Sequence, residues 1–323
     1  MNSIETYKNQ FVDYLTEIIK VKEPTNLYEP IEYILQIGGK RLRPVLTLMI
    51  CDLFQGEVKQ AYNAALAIEV FHNFTLVHDD IMDSAPIRRG MPTVHKKWNI
   101  NTGILSGDAM MILAYQCFEN YEPSTLKKLL QLFNKTAIEV CEGQQLDVDF
   151  ENRNDVSISE YTKMITYKTS VLVAAAMKMG AIIADVTENE AALIYEFGLN
   201  LGIAFQLQDD YLDTFGDAKL FGKQIGGDIS ENKKTYLYLK TIEVCNITDK
   251  EKLLTLYKTK KSNQRKIEEV THIFERNNIP QITLKEIELY TNKAFDVLDK
   301  LTIDSANKTV LKDFGLSLMK RTI

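Results

Sequence analysis

Two short acidic runs, DDIMD at Asp79 to Asp83 and DDYLD at Asp209 to Asp213, carry the chemistry most plainly written in this chain. Each lies in a long apolar segment that reads as helix, where residues four apart share a face, so Asp79 stacks with Asp83 and Asp209 with Asp213. Carboxylates this crowded repel one another unless a cation lies between them. Hard carboxylate oxygens with no nearby Cys and no paired His suit magnesium, which keeps several waters and commonly bridges protein carboxylates to a substrate phosphate. The two runs therefore predict one shared cation site and a phosphorylated substrate.

Basic segments answer the acidic ones. GGKRLRP, Gly38 to Pro44, offers Lys40, Arg41 and Arg43 behind two glycines, the makings of a phosphate grip at a helix start. Arg88 and Arg89 follow the first acidic run within one loop, held between Pro86 and Gly90. Lys168 in YKTS, Lys223 in FGKQIGGD, and Lys233 with Lys234 in ENKKTY add further cations, the last three in a Gly-rich segment suited to a lid. This is more positive charge than one monophosphate uses, and two diphosphates fit it better. His72 lies seven residues, or two turns, before Asp79 and on its face; spacing alone allows a phosphate donor or a hydrogen-bonded core histidine. His78 and His95 have weaker cases. Gln206 reads as a polar wall of the site and Gln208 as ordinary packing. Singly, each of these pieces is most often a solvated helix face or a basic turn; their order along one chain is what points to a site.

The elements that must position these residues are helices. Apolar residues recur at helical spacing throughout, as in Ile4, Tyr7, Phe11, Tyr14, Leu15 and Ile18, and strand-type alternation between paired turn signals is hard to find. The breakers are Pro24 and Pro30; Gly38, Gly39 and Pro44; Pro86, Gly90 and Pro92; Pro123; and the glycines from Gly216 to Gly227. They predict helices of roughly 15 to 25 residues joined by short loops. With 323 residues, 45% of them hydrophobic, and no linker or low-complexity tract, the expectation is an all-α chain forming one domain over 1–323, a single large bundle around a central core or cavity.

A net charge of −6 argues against nucleic acid as a partner. Four separated cysteines without a CxxC pair fit a reduced, cytoplasmic setting. The first residues, MNSIETYKNQFVDYL, read as a mature helix and not a secretory signal. The most apolar stretch, 171–184, is interrupted by Lys178 and falls short of the roughly 20 residues a bilayer requires, so no stable membrane insertion is expected.

In this order GGKRLRP, DDIMD followed by RRG, GQQLD (Gly143 to Asp147), YKT, FQLQDDYLD and a GK/NK lysine pair resemble the short-chain trans-isoprenyl diphosphate synthases, over residues near 36 to 236. The resemblance implies the type I isoprenoid synthase fold, a helical bundle with a deep central cavity, usually a homodimer. It implies magnesium-dependent condensation of an allylic diphosphate with isopentenyl diphosphate. Carried over, Asp79, Asp83 and Asp209 are the main magnesium ligands, with Asp80, Asp210 and Asp213 supporting the metals or their waters. Lys40, Arg43, His72 and Arg89 bind isopentenyl diphosphate. Arg88, Lys168, Thr169, Gln206, Lys223 and Lys233 bind the allylic diphosphate; the register leaves Lys234 as a substitute for Lys233. Three Mg²⁺ ions would stabilise the leaving diphosphate, the carbocation would be trapped by the isopentenyl double bond, and the departing pyrophosphate would take the proton.

Product length should be set below the first acidic run. Phe74 and Phe71 precede Asp79 by five and eight residues, about 7.5 and 12 Å along a helix. Such rings would plug the cavity, with the core as their bland alternative. Phe74 beside the small Thr75 resembles the pattern of twenty-carbon enzymes, and Phe71 would shorten the product, so farnesyl or geranylgeranyl diphosphate is expected. Three rival readings fit the residues less well. A class I terpene cyclase lacks need of GGKRLRP and DDYLD. A di-iron bundle would use Glu69-x-x-His72 and Glu269-x-x-His272, but the second pair lies on a highly charged, solvent-directed face. A non-catalytic regulatory subunit would have no need to keep both acidic runs.

Overall fold

The computed structural model describes residues 3–216, 225–259 and 264–319. The all-α expectation holds: among the described residues the only sheet is a two-residue antiparallel pair, β1 (Ile87–Arg88) with β2 (Met91–Pro92). No helix among them is long and apolar enough to cross a membrane.

Two compact units make up the chain. The first comprises Met1–Asn134 and Ala175–Ala192. It holds α1 (Ile4–Ile18), α2 (Thr25–Gln36), α3 (Leu42–Leu53), α4 (Val58–Met82), the β1–β2 hairpin, the short α5 (Val94–Lys97), α6 (Ile100–Gln116) and the start of α7 (Pro123–Asn152). Helix α1 starts on Ser3, whose hydroxyl accepts from the Thr6 N–H, and buries Tyr7, Phe11 and Leu15 at four-residue spacing. Helix α4 is the centre of this unit and packs on α3 and α6. Its buried residues run from Ala61, Ala64 and Ala65 through Leu66, Ile68, Val70 and Phe71 to Val77, so it is covered on nearly every side. The alanines let neighbouring backbones approach closely, which fixes the height at which Asp79, at the far end, is presented.

The second unit comprises Lys135–Ala174 and Leu193–Ile323. It takes in the rest of α7, α8 (Ile158–Ile165), a π-helical turn at Thr166–Ser170, parts of α9 (Val171–Ile183) and α10 (Glu188–Phe215), and six further helices between Gly227 and Met319. Ser157 and Glu160 form a complete capping box at the start of α8. The core gathers Tyr161, Ile165, Leu207, Tyr211, Leu237, Leu253, Val270, Phe274 and Ile279.

Two expectations need correction. Pro30 does not break the chain; it lies inside α2, buried. Only the Asn26 carbonyl, in the helix's first turn, loses a backbone partner there, a loss the apolar face offsets by packing. Helix lengths also spread more widely than roughly 15 to 25, since α7 has 30 residues, α10 has 28 and α8 only 8.

One buried ion pair ties the start of α3 to its neighbours. Arg41, the N-cap of α3 in a left-handed conformation at φ 50°, sends its guanidinium inward to Glu69 of α4 and to the Leu35 carbonyl of α2. Both side chains are buried, and Asn73 Nδ2 donates a further bond to Glu69 Oε1 at 3.1 Å. Arg41 is thus a structural member of GGKRLRP. Replacing it by Met leaves the Glu69 charge uncompensated, and should cost about 3 to 5 kcal/mol of stability. Chemical denaturation reads this directly, and an unchanged midpoint would contradict the assignment.

Candidate active site

In the first unit the basic residues converge on His72. Arg43 Nη1 donates to His72 Nε2 at 3.3 Å, which places the imidazole proton on Nδ1. Burial, followed by Arg43, Arg89, Arg88 and Arg41, holds His72 well below the usual histidine range, so the ring is neutral and can donate through Nδ1. Burial also pushes the Arg43 guanidinium down to about 10, opposed by Glu69. It stays charged at neutral pH, and its buried Nε has no hydrogen-bond partner among the described residues. Arg89 donates to the Gly38 carbonyl, and its guanidinium lies against Gly39. A Cβ on Gly39 would sit 2.7 Å from that group, and its φ of 123° is one L side chains rarely adopt, so this glycine both turns the chain and makes room for Arg89. Lys40 is exposed at the same turn. Arg43, Arg89 and His72 come together here with Lys40 at the same turn, whereas Arg41 points inward to Glu69.

Asp79 and Asp83 end α4 one turn apart, with the Asp83 N–H donating to the Asp79 carbonyl at 2.8 Å. Asp80 lies about 100° round the helix from Asp79 and is buried. It accepts both Arg88 Nε contacts, at 2.8 and 2.9 Å, and pairs with Nη2 at 2.7 Å. So Asp80 holds Arg88 in place. Of the residues expected to limit product length, Phe71 is fully buried while Phe74 and Thr75 are half-buried. The Phe71 and Phe74 rings touch at 5.6 Å between centroids, and Phe71 continues into Phe133 at 5.2 Å. Thr75 Oγ1 donates to the His72 carbonyl at 2.8 Å. His95 is buried, with neither ring nitrogen hydrogen-bonded among the described residues.

In the second unit Asp209, Asp210 and Asp213 stand near the end of α10, and the chain brings a further carboxylate to them. Asp228 donates its backbone N–H to Asp213 Oδ2 at 3.0 Å. Burial pushes the Asp210 carboxyl up to about 7 against the hydrogen bonds it accepts from Tyr161 and Gln206, and Asp209 adds to the rise. Burial likewise pushes Asp228 up to about 8, helped by Asp210, Asp213 and Asp209. Asp228 and Tyr161 were not foreseen. The GGD step ending FGKQIGGD was the available signal for the first; the second, 49 residues from its partner, left none.

Thr169 Oγ1 donates to Gln206 Oε1 at 3.1 Å and Gln206 Nε2 donates to Asp210 Oδ1 at 3.0 Å, so Gln206 links Thr169 to the acidic run. Gln208 instead donates to the Met319 carbonyl at 2.6 Å, as packing. Lys168 pairs with Asp147 of GQQLD. It sits on the π-helical turn, which Gly143 admits: a Cβ there would stand 2.3 Å from the Lys168 nitrogen. Lys233 and Lys234 make different contacts. Lys234 Nζ donates to the Phe150 and Glu151 carbonyls at 2.6 and 3.0 Å, gripping the end of α7. Lys233 lies 3.8 Å from Asp228 and 2.9 Å from Glu231. Burial works against its charge, but Asp228 and Glu231 outweigh it and keep Lys233 more basic than a free lysine. Lys223 lies outside the described residues.

The donor set fits magnesium. Among the described residues no group of three or more His, Cys, Asp or Glu side chains is already arranged to hold a metal ion. The chain offers carboxylates one turn apart, Asp79 with Asp83 and Asp209 with Asp213, oxygen donors of the kind that hold Mg²⁺ together with waters and substrate phosphates. The raised Asp210 and Asp228 carboxyls point the same way, since a cation among them would restore their ionised forms. Neither Glu-x-x-His pair suits iron. Glu69 is taken by Arg41, Glu269 by Lys252 and Arg265 at 2.9 and 2.8 Å, and exposed His272 by Glu275 at 3.0 Å.

Comparison with known proteins agrees with this chemistry. Residues 24–274 match the family model for polyprenyl synthetase. The geranylgeranyl diphosphate synthase of Sulfolobus acidocaldarius is 38% identical over 312 residues, 94% of each chain. A crystal structure of a geranylgeranyl pyrophosphate synthase, 52% identical, covers 100% of both chains with a TM-score of 0.95. Another, of the polyprenyl synthase from Caulobacter crescentus CB15 complexed with calcium and isoprenyl diphosphate, is 25% identical with a TM-score of 0.87 over 98% of this chain and 96% of its own. The chain belongs to the polyprenyl synthetase family and is a prenyltransferase with the all-α isoprenoid synthase fold.

Proposed function

We propose that the chain, acting as one domain over 1–323, condenses an allylic diphosphate head-to-tail with isopentenyl diphosphate and releases farnesyl or geranylgeranyl diphosphate. The observation that carries this is the group formed by Asp209, Asp210, Asp213 and Asp228, where burial and mutual repulsion push Asp210 up to about 7 and Asp228 up to about 8. The relatives, named for geranylgeranyl diphosphate, support the longer of the two products.

Asp79, Asp83 and Asp209 would hold magnesium, three ions per site; when bound, magnesium would neutralise the charge that builds on the leaving diphosphate. Arg88, set by Asp80, and Lys233, set by Asp228, direct positive charge at the allylic diphosphate. Lys168, Thr169 and Gln206 bind and orient it, with Lys223 in the same role by its place in the sequence. Lys40, Arg43 and Arg89 bind isopentenyl diphosphate, and neutral His72 donates to it through Nδ1–H without adding charge. The departing pyrophosphate would take the proton lost at the end. We further propose a homodimer. Ile100, Ile104, Leu105 and Ile112 leave an apolar stripe on α6 exposed at 54%, 42%, 60% and 60%, more than a lone surface helix commonly shows.

Purified protein given magnesium, labelled isopentenyl diphosphate and each allylic starter should yield farnesyl or geranylgeranyl diphosphate, and replacing Phe74 and Phe71 by Ala should lengthen it. No condensation, or a product length indifferent to both rings, would refute the respective halves of this reading. The two lysines divide differently. Lys233→Ala should lower kcat/KM for the allylic substrate about 10²-fold. Lys234→Ala should lower the melting midpoint with little change in KM; the reverse pattern in steady-state kinetics would exchange their roles.

A further inference from the structure

If Phe74 ends chain growth, something must hold its ring against a growing tail, and α6 supplies it. Phe74 and His78 stand one turn apart on α4, their rings meeting at 4.8 Å between centroids and 67° between planes. On its other flank Phe74 touches the buried Phe71 ring at 5.6 Å. His78 is itself held: Nε2 donates to the Ile104 carbonyl at 3.3 Å and lies 4.0 Å from Asp108 Oδ1. Its imidazole lies on Gly107 of α6, where a Cβ would stand 2.2 Å from Nε2 and 2.6 Å from Cδ2. No real side chain makes such a contact, so any other residue at 107 must displace the ring on which Phe74 rests. Neither His78 nor Gly107 has a part in the diphosphate chemistry above.

We propose that His78, seated over Gly107, is a positioning residue for product length, clamping Phe74 between itself and Phe71 so that α4 and α6 set the stop together. This rests on Phe74 being the stop. The hydrogen bond to Ile104 fixes the imidazole, and the edge-to-face contact then restricts the Phe74 ring, which would otherwise swing aside as the tail reaches it.

The test compares His78→Ala, His78→Phe, Gly107→Ala and Phe74→Ala, each assayed for product lengths by chromatography and for thermal midpoint. The share of products at least one isoprene unit longer should rise about two- to tenfold in His78→Ala and Gly107→Ala, the range one aromatic contact commands. His78→Phe, which keeps a ring against Phe74, should return the ratio toward that of the unaltered protein. Adding His78→Ala to Phe74→Ala should change nothing further, because the clamped ring is already gone. If Phe74→Ala lengthens the product while His78→Ala and Gly107→Ala do not, the clamp is wrong and the stop stands. If Phe74→Ala itself has no effect, both fall. A lowered midpoint with an unchanged product ratio counts against the clamp, and should Gly107→Ala not fold, the two His78 variants decide.

Discussion

Carboxylates gathered in a buried setting are the constraint to which much of this molecule responds. Asp210 and Asp213 are buried, Asp228 joins them through its own backbone, and burial with mutual repulsion raises Asp210 to about 7 and Asp228 to about 8. In a stable core such a cluster would be replaced or paired off. Here Tyr161 and Gln206 brace Asp210 and Lys233 partly offsets Asp228, yet both carboxyls stay raised. An arrangement that costs stability and is nonetheless braced on several sides is what a site prepared for metal and diphosphate requires.

The basic side meets the mirror-image problem with a different economy. Several guanidinium groups surround His72, and the ring responds by staying neutral, which keeps a hydrogen-bond donor without a further like charge. Arg41 would have aggravated the crowding, and is instead neutralised by Glu69 beneath the surface. Arg88 is anchored by Asp80. The cations aimed at substrate are thus separated from those that hold helices together, although both kinds alternate within RLR.

How much of this was legible in the sequence follows from where each signal lies. Helical spacing placed Asp79 over Asp83 and separated Gln206 from Gln208, because one turn of helix is a local matter; the structure bears both out. Gly143 and Gly39 were quoted within motifs, but what they make room for, a π-helical turn and the Arg89 guanidinium, lies on distant segments. Arg41 looked identical to Arg43 until Glu69, 28 residues on, was brought beneath it. Pro30 read as a breaker because its defect is local, whereas the burial that tolerates it is not. Asp228 was hidden by glycines that suggested movement more strongly than ligation, and its partner Asp213 lies 15 residues away.

The central claim is that these carboxylates exist to hold magnesium against a diphosphate. Calorimetry with a non-ionisable allylic diphosphate analogue tests it without any turnover. Binding should require Mg²⁺, and should weaken by about two orders of magnitude or more in Asp209→Asn, the loss expected when one charged ligand to a metal-bridged diphosphate is removed. Equal affinity with and without Mg²⁺, or an Asp209→Asn variant that binds as the unaltered protein does, would contradict the account.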